Sequence, residues 1–202
     1  MGQNYLQIRN DYLKKAWARS PAVLSACLPA ELKDAGLCFP AFGEECLLTR
    51  GEITLAGVAA NGPEGLLIAL YASVVPDLPV QLHPLKSFKE LPNSMPYQGA
   101  FAANAEQILV PLVTNMYRQQ ERLAAVFSGR PNLNPVSGDF SFTLYPLPRV
   151  PLYYIFHLPD EEFPAAVTCL FAANAPAFMP LDGLADVAEY TGKKLLALLG
   201  VR

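Results

Sequence analysis

Residues 138–171 read GDFSFTLYPLPRVPLYYIFHLPDEEFPAAVTCLF and carry the clearest secondary-structure pattern of the chain. It opens with an alternation that places Phe140, Phe142 and Leu144 on one face and Ser141, Thr143 and Tyr145 on the other. Such alternation is typical of a β-strand with one buried face. LPRVPLYYIFHL (147–158) and AVTCLF (166–171) predict two more strands around the turn PDEEF. We therefore expect a C-terminal antiparallel β-meander.

Amphipathic helices are predicted at both ends of the chain. The last runs from Leu181 to Leu199 and would turn Leu184, Val187, Ala188, Leu195 and Leu199 inward. The first would present one broad apolar face formed by Tyr5, Ile8, Tyr12 and Ala16, with Leu6, Leu13 and Trp17 beside them. Ser20 and Pro21 predict the start of a second, short helix, which Pro29 interrupts and Gly36 closes.

The middle of the chain mixes both periods. LCFPAF (37–42), ECLLT (45–49) and ITLAG (53–57) predict a small antiparallel meander, and a central buried helix follows from Gly62-Pro63 to Pro76. The stretch 76–99 is predicted to be irregular except for a short helix at LKSFKEL (85–91). Residues 101–127 are helical in pattern, and Pro111 leaves open whether they form one kinked helix or two.

Helices and strands come in separate blocks, which favours an α+β fold over a doubly wound sheet. We expect helical N-terminal and central parts with a small antiparallel meander, then a C-terminal antiparallel β-meander and a closing helix. Residues 1–202 are predicted to form a single globular domain, with a possible subdivision at the loop near 129–138.

Composition limits the classes of function. Charged residues make up only 16% of the chain, with 15 Lys and Arg against 18 Asp and Glu. A net charge of −3 gives no basic footprint for nucleic acid or for an anionic membrane, so neither is expected as a partner. The N-terminus lacks a signal-peptide core, and prolines interrupt the longest uncharged stretch. We expect a cytoplasmic protein whose partner is another protein or a small molecule.

No motif spells out a reaction. Phosphate-binding glycine loops, a nucleophile elbow and a metal-binding H-E-x-x-H helix are all missing from the sequence, so no cofactor and no metal is expected. The four cysteines lack the short spacings of zinc or redox motifs. Cys38 and Cys46 lie on neighbouring predicted strands and are interpreted as core residues, with a disulfide or a metal site shared with His83 or His157 as the alternative.

One charged group stands out in a chain so poor in charge. Arg149, His157, Asp160, Glu161 and Glu162 cluster near the ends of the C-terminal strands. A carboxylate beside an imidazole suits acid-base chemistry, and an arginine can hold a substrate carboxylate through two hydrogen bonds. The alternative, which we favour, is that Asp160, Glu161 and Glu162 form a solvated hairpin tip, that Arg149 pairs with one of these acids, and that His157 lies at an edge.

Aromatic residues offer a second type of site. The candidates for lining an apolar pocket are Tyr97, Phe101, Tyr153, Tyr154, Phe156 and Phe178, although a plain core role is the more usual one. Asp182 and Asp186 need no functional explanation at this stage, because the dipole at the start of the last helix favours acidic residues.

The chain contains 19 prolines, nearly double the usual share of about 5%. Many fall around the C-terminal strands, at Pro146, Pro148, Pro151, Pro159, Pro164, Pro176 and Pro180. Because proline cannot donate to a β-ladder, these strands are predicted to be edges or short pieces with rigid proline-rich connections.

The strings SFKELP, PYQGAF, GDFSFTLYPLPRVPL, PDEEFPAAVTCLF and APAFMPLDGLADVAEYTGKKLL resemble, in this order, a prokaryotic family known as domain of unknown function 3786. The resemblance covers most of the chain from about Phe39 and implies no assigned activity. It implies a bacterial or archaeal source among anaerobes and a setting of low-potential redox or corrinoid metabolism. After the LF strand end the family often has an acidic residue, where this chain has Ala172, Ala173 and Asn174.

Two functions remain open from the sequence. The first is a non-catalytic binding or accessory protein with an apolar, proline-braced surface, and the departure at 172–174 favours it. The second is a small enzyme with an acid-base site at Arg149, His157 and Asp160 to Glu162. Tyr97 and Phe101 complete the set of binding candidates.

Overall fold

A computed structural model describes residues 2–133, 135 and 137–201, with side chains described from Tyr5 onward. The α-helices are α1 (Gly2–Ala16), α2 (Pro21–Cys27), α3 (Pro63–Val74), α4 (Gln98–Phe101), α5 (Val113–Val126) and α6 (Leu181–Leu198). The strands are β1 (Glu31–Lys33), β2 (Gly36–Ala41), β3 (Glu44–Leu48), β4 (Ile53–Leu55), β5 (Val58–Ala59), β6 (Lys86–Ser87), β7 (Arg130–Pro131), β8 (Phe140–Leu147), β9 (Val150–His157) and β10 (Ala166–Phe171). The fold is α+β, as predicted.

The N-terminal sheet is a five-stranded antiparallel meander in the order β1-β2-β3-β4-β5. The predicted strands at 37–57 are all present, and the β2–β3 turn uses Phe42 and Gly43, both at positive φ. The extension of the second helix to Gly36 is wrong: α2 ends at Cys27, and Glu31–Lys33 instead pair with Gly36–Cys38. The predicted cap is confirmed, because the Ser20 side chain accepts from the Val23 N–H.

The C-terminal sheet has the order β6-β10-β9-β8-β7, with antiparallel pairing throughout. The prediction that its proline-bearing strands are edges or short pieces is wrong, since β8 and β9 are central and eight residues long each. Their register shifts between Leu144 and Leu147, so Pro146 and Pro151 sit where the ladder is interrupted. A bulge of this kind tolerates the missing N–H of proline within a central strand.

The second face of β8 is also buried, although the sequence suggested a polar, open face. Ser141 is 1% exposed and its Oγ lies 3.0 Å from the Tyr153 hydroxyl oxygen. Thr143 is also buried and donates from Oγ1 to Asn132 Oδ1 at 3.1 Å. These hydrogen bonds compensate for burying hydroxyl groups on a strand that is covered on both faces.

The first helix is present, but its buried face differs from the prediction. Tyr5 and Ile8 are 49% and 40% exposed, whereas Leu13 and Ala16 are buried. Arg9 joins the buried stripe, because its guanidinium donates to the Ala60 carbonyl and to Asn61 Oδ1. The buried face of α1 thus includes Arg9 and Leu13 where the prediction had Ile8 and Tyr12. A pattern of apolar residues cannot identify a buried face that includes a hydrogen-bonded arginine.

A continuous helical run follows the irregular segment and changes pitch three times. It passes from α4 to a π-helical turn (Ala102–Glu106), then to a 3₁₀ stretch (Gln107–Leu112) and into α5. Pro111 lies in the 3₁₀ stretch, where its missing N–H precludes a regular α-helix. Strand β6 pairs with β10 only at Leu170 and Phe171. The Cys169 N–H just before them donates instead to Glu106 of the π turn, at 2.9 Å.

The segment 76–97 connects α3 to this run. The predicted helix at 85–91 is wrong: β6 is followed by a 3₁₀ turn, Phe88–Glu90, which Ser87 and Glu90 cap reciprocally. Asn174 pins the earlier part of the segment, because its side chain accepts from the Gln81 N–H at 2.8 Å and donates to the Pro79 carbonyl at 3.0 Å.

The closing helix α6 is confirmed and packs across the π turn. Gly192 allows this approach, since a Cβ there would lie 3.0 Å from Ile108 Cδ1. Two described residues of the loop predicted at 129–139 form β7, and Asn134 and Val136 lie outside the described residues. None of the described helices is long and apolar enough to cross a membrane.

Candidate functional site

Arg149 occupies the turn between β8 and β9 and ties three segments together. Its Nε and Nη2 atoms donate to the last carbonyls of α2, at Cys27 and Ala26, both at 2.8 Å. Nη1 donates to the Leu78 carbonyl, and Nη2 also pairs with Asp77 Oδ1 at 2.9 Å. The predicted ion pair with an acid of the hairpin tip is therefore wrong, because Asp77 is the carboxylate that Arg149 reaches. Carbonyl groups of the protein thus occupy the donors that the sequence assigned to a substrate carboxylate.

His157 lies at the far end of β9, so the predicted grouping with Arg149 is not formed. Eight strand residues separate the two positions by roughly 25 Å. His157 is exposed and is paired in register with Ala166. The acid-base arrangement that the sequence allowed therefore lacks its arginine.

Asp160, Glu161 and Glu162 are exposed at the tip of the β9–β10 hairpin, as the solvated alternative expected. Asp160 Oδ1 accepts from the Phe163 N–H at 2.7 Å and from the Glu162 N–H at 2.8 Å. These two backbone N–H groups lower the pKa of Asp160. The carboxylate thereby holds the turn together.

The strand register separates Cys38 from Cys46. Cys38 pairs with Leu47 and Cys46 pairs with Phe39, so the two thiols project from opposite faces of the sheet. All four cysteines are free, and burial raises the pKa of Cys46 to about 12. In the part of the chain that the structure describes, no three His, Cys, Asp or Glu side chains are grouped closely enough to hold a metal ion.

A cavity of about 700 Å³ lies between α6 and the run that begins before α4. One wall carries Phe88, Asn93, Pro96, Tyr97, Ala100, Phe101, Asn104 and Ala105, and the α6 wall carries Leu181, Asp182, Ala185, Asp186 and Glu189. The first wall is mainly apolar and aromatic, and the second combines aliphatic side chains with three carboxylates. The cavity therefore has one apolar side and one acidic side.

The aromatic wall is held in place by ring stacking. Phe88 and Phe101 stack with ring centroids 4.2 Å apart and nearly parallel planes, and Phe171 packs against both from β10. Phe88 and Phe101 are buried, whereas Tyr97 is 60% exposed. The 3₁₀ turn carrying Phe88 and the π turn that follows Phe101 set this geometry, and π turns occur often at functional sites.

The acidic wall follows from helical spacing. Asp182, Asp186 and Glu189 lie four and then three residues apart, so they share one face of α6. Glu189 is paired with Lys193 at 2.5 Å, and Asp182 accepts from the Gly183 N–H. Asp186 makes no hydrogen bond or ion pair within the described residues.

Asp186 is an exposed residue, and its pKa is raised by partial desolvation and further by the negative charges of Glu189 and Asp182, while Lys193 opposes the rise. No Lys, Arg or His is among the residues that line the cavity, and Tyr97 is the only titratable group on the aromatic wall. The α6 side of the cavity is therefore negative, with Glu189 paired to Lys193 and with Asp182 and Asp186 facing no basic side chain among the lining residues.

Two of the sequence-predicted binding residues, Tyr97 and Phe101, line this cavity. The other aromatic candidates, Tyr153, Tyr154, Phe156 and Phe178, are buried in the core instead. The position of the α6 carboxylates on the cavity wall was not predicted from the sequence, because the helix dipole alone accounts for Asp182 and Asp186 at a helix start. The available signal was their spacing, together with Glu189, along one face of an otherwise apolar helix.

A comparison of the chain with known protein families gives a match. The family model described as Domain of unknown function (DUF3786) matches residues 20–194, which includes both sheets and most of α6. No curated protein matches the chain, and no solved structure matches it either. Because the family model covers most of the chain, the protein belongs to the DUF3786 family.

Proposed function

We propose that the protein is a cytoplasmic, non-catalytic binding protein that holds one small, largely apolar molecule in the cavity between α4 and α6. The observation that carries this proposal is the cavity itself. Its volume of about 700 Å³ is that of a pocket which encloses a whole small molecule. The buried, stacked pair Phe88 and Phe101 makes the apolar lining rigid, and Tyr97, which is 60% exposed, adds aromatic surface on the same wall.

The placement of the other candidates also supports binding in this cavity. Arg149 is engaged with carbonyl groups, and the acids at the hairpin tip face solvent. Side chains that hold the fold together are poorly placed to bind and release a ligand. The lining of the cavity, by contrast, includes the exposed Tyr97 and the Asp186 carboxylate, which makes no hydrogen bond or ion pair within the described residues.

A titration followed by ¹H–¹⁵N NMR tests the proposal, with 2-phenylethanol and phenethylammonium as simple aromatic probes. We expect saturable shifts at the residues that line the cavity. Ala100→Trp fills the cavity from an exposed position and should abolish those shifts. Ala103→Trp is the matched control, because Ala103 is exposed on the adjacent π turn and does not line the cavity. Shifts elsewhere, or equal shifts in Ala100→Trp, would count against the proposal.

A further inference from the structure

We infer that the ligand of this cavity is an organic ammonium ion with an aromatic or similarly bulky apolar body. The inference rests on the proposed function and adds the chemical class of the ligand. It follows from the opposed walls, one aromatic and one acidic, and from the absence of a basic side chain among the lining residues.

The carboxylates supply the first half of the recognition. Asp186 has no partner of its own within the described residues and is flanked by two further acids on the same face of α6. A cationic ligand would give this carboxylate a charge-assisted hydrogen bond and relieve the repulsion among the three acids. An anionic ligand would instead be repelled by Asp182 and Asp186, while Glu189 is paired with Lys193.

The aromatic wall supplies the second half. Tyr97 is 60% exposed and lines the wall across from α6, and an ammonium group near a ring face is attracted to it by a cation–π interaction. The stacked arrangement of Phe88 with Phe101 fixes the ring plane before a ligand arrives, so little ordering is needed on binding.

The spacing of the acids favours an organic cation over a metal ion. Seven helical steps from Asp182 to Glu189 extend about 10 Å along the axis, so the three carboxylates spread along the wall rather than converge on one point. A bulky ammonium ion uses such a spread surface, and the cavity volume leaves room for its apolar body. A lysine-bearing peptide is the competing occupant, but a cavity of about 700 Å³ is suited to enclosing a free small molecule.

Affinities for three probes of similar size test the charge preference: phenethylammonium, 2-phenylethanol and 3-phenylpropionate, measured by calorimetry at pH 7. We expect the ammonium ion to bind at least about tenfold more tightly than the alcohol, and the carboxylate to bind most weakly. Asp186→Asn should reduce the preference for the ammonium ion over the alcohol to less than about threefold. Glu161→Gln, which removes an equal charge at the exposed hairpin tip, should preserve the wild-type preference.

The outcomes separate the two proposals. Equal affinities for the ammonium ion and the alcohol would overturn the inference while leaving the proposed function in place. Binding of neither probe in the cavity would overturn both. Binding of a lysine-bearing peptide without binding of phenethylammonium would overturn the inference in favour of a protein partner. An equal loss of preference in Asp186→Asn and Glu161→Gln would show a general charge effect and would also overturn it.

Discussion

Replacing Arg149 tests whether this residue belongs to the structure or to a binding site. Its side chain donates to Cys27 and Ala26 at the end of α2, to Leu78, and to Asp77. In Arg149→Ala, four hydrogen bonds from a charged donor are lost, and the carbonyls at the end of α2 lose their partner. The change should therefore destabilise the fold without altering the cavity, because neither Arg149 nor any of its partners is among the residues that line it.

The magnitude can be estimated from these contacts. Asp77 is 65% exposed in its side chain, so its ion pair contributes only about 0–1 kcal/mol. The hydrogen bonds to carbonyl groups are better shielded from water, because the Arg149 side chain is only 15% exposed. A hydrogen bond from a charged donor contributes about 1.5–3 kcal/mol to stability, and several bonds from one side chain contribute less than the sum of their separate values. We expect a loss of about 4 kcal/mol for Arg149→Ala and about half of that for Arg149→Lys, which keeps the charge but loses the planar fork.

Urea unfolding followed by circular dichroism measures this loss. With a slope of about 2.5 kcal/mol per molar urea, the midpoint of Arg149→Ala should fall by about 1.5 M. Arg118→Ala is the control, since Arg118 is exposed on α5 and makes no hydrogen bond or ion pair within the described residues. A midpoint for Arg149→Ala within about 0.2 M of the wild type would refute the structural role of this side chain.

Three further changes have defined outcomes. Asp186→Asn should raise the free energy of unfolding by about 0.5–1 kcal/mol at pH 7, because it removes two like-charge contacts on α6. Folding raises the pKa of Asp186, so this gain should disappear below about pH 4, where the wild-type carboxyl is also protonated. Thermal melts at about pH 7 and about pH 3 measure the gain, and a gain of the same size at the lower pH would contradict the prediction. Thiol titration should label Cys38 fastest in the native protein, because the other three cysteines are buried, and should label all four cysteines in urea. Rapid labelling of a second thiol in the native protein would contradict this prediction. Asn174→Asp should cost about 1–2 kcal/mol in urea unfolding, since a carboxylate cannot donate to the Pro79 carbonyl, and an unchanged midpoint would argue against this clamp.

The fold class and most elements were predictable because their signals are local. The alternation from Phe140 to Tyr145 and the Pro63 start of α3 depend on neighbouring residues only, and both are confirmed. The errors arise where a distant partner decides. Arg9 can be buried because Ala60 and Asn61 accept hydrogen bonds from its guanidinium. Pro151 fits a central strand because a bulge lies opposite. Neither partner can be identified from the residues nearby.

The candidate site shows the same division. Tyr97 and Phe101 could be singled out from sequence as aromatic residues, but their position across from α6 depends on the change of helical pitch at 102–112. The acids of α6 have a sufficient local explanation as helix-start residues, so the sequence does not reveal that they line the cavity. Arg149 and His157 looked close because both flank a strand, yet a strand places its two ends far apart.

A crystal structure of the protein with phenethylammonium tests the central claim most directly. We expect the ammonium nitrogen within hydrogen-bonding distance, about 3 Å, of Asp186 and the phenyl ring against Phe101, inside the cavity between α4 and α6. A complex with the ammonium ion bound elsewhere, or with its nitrogen turned away from the α6 carboxylates into solvent, would contradict the account.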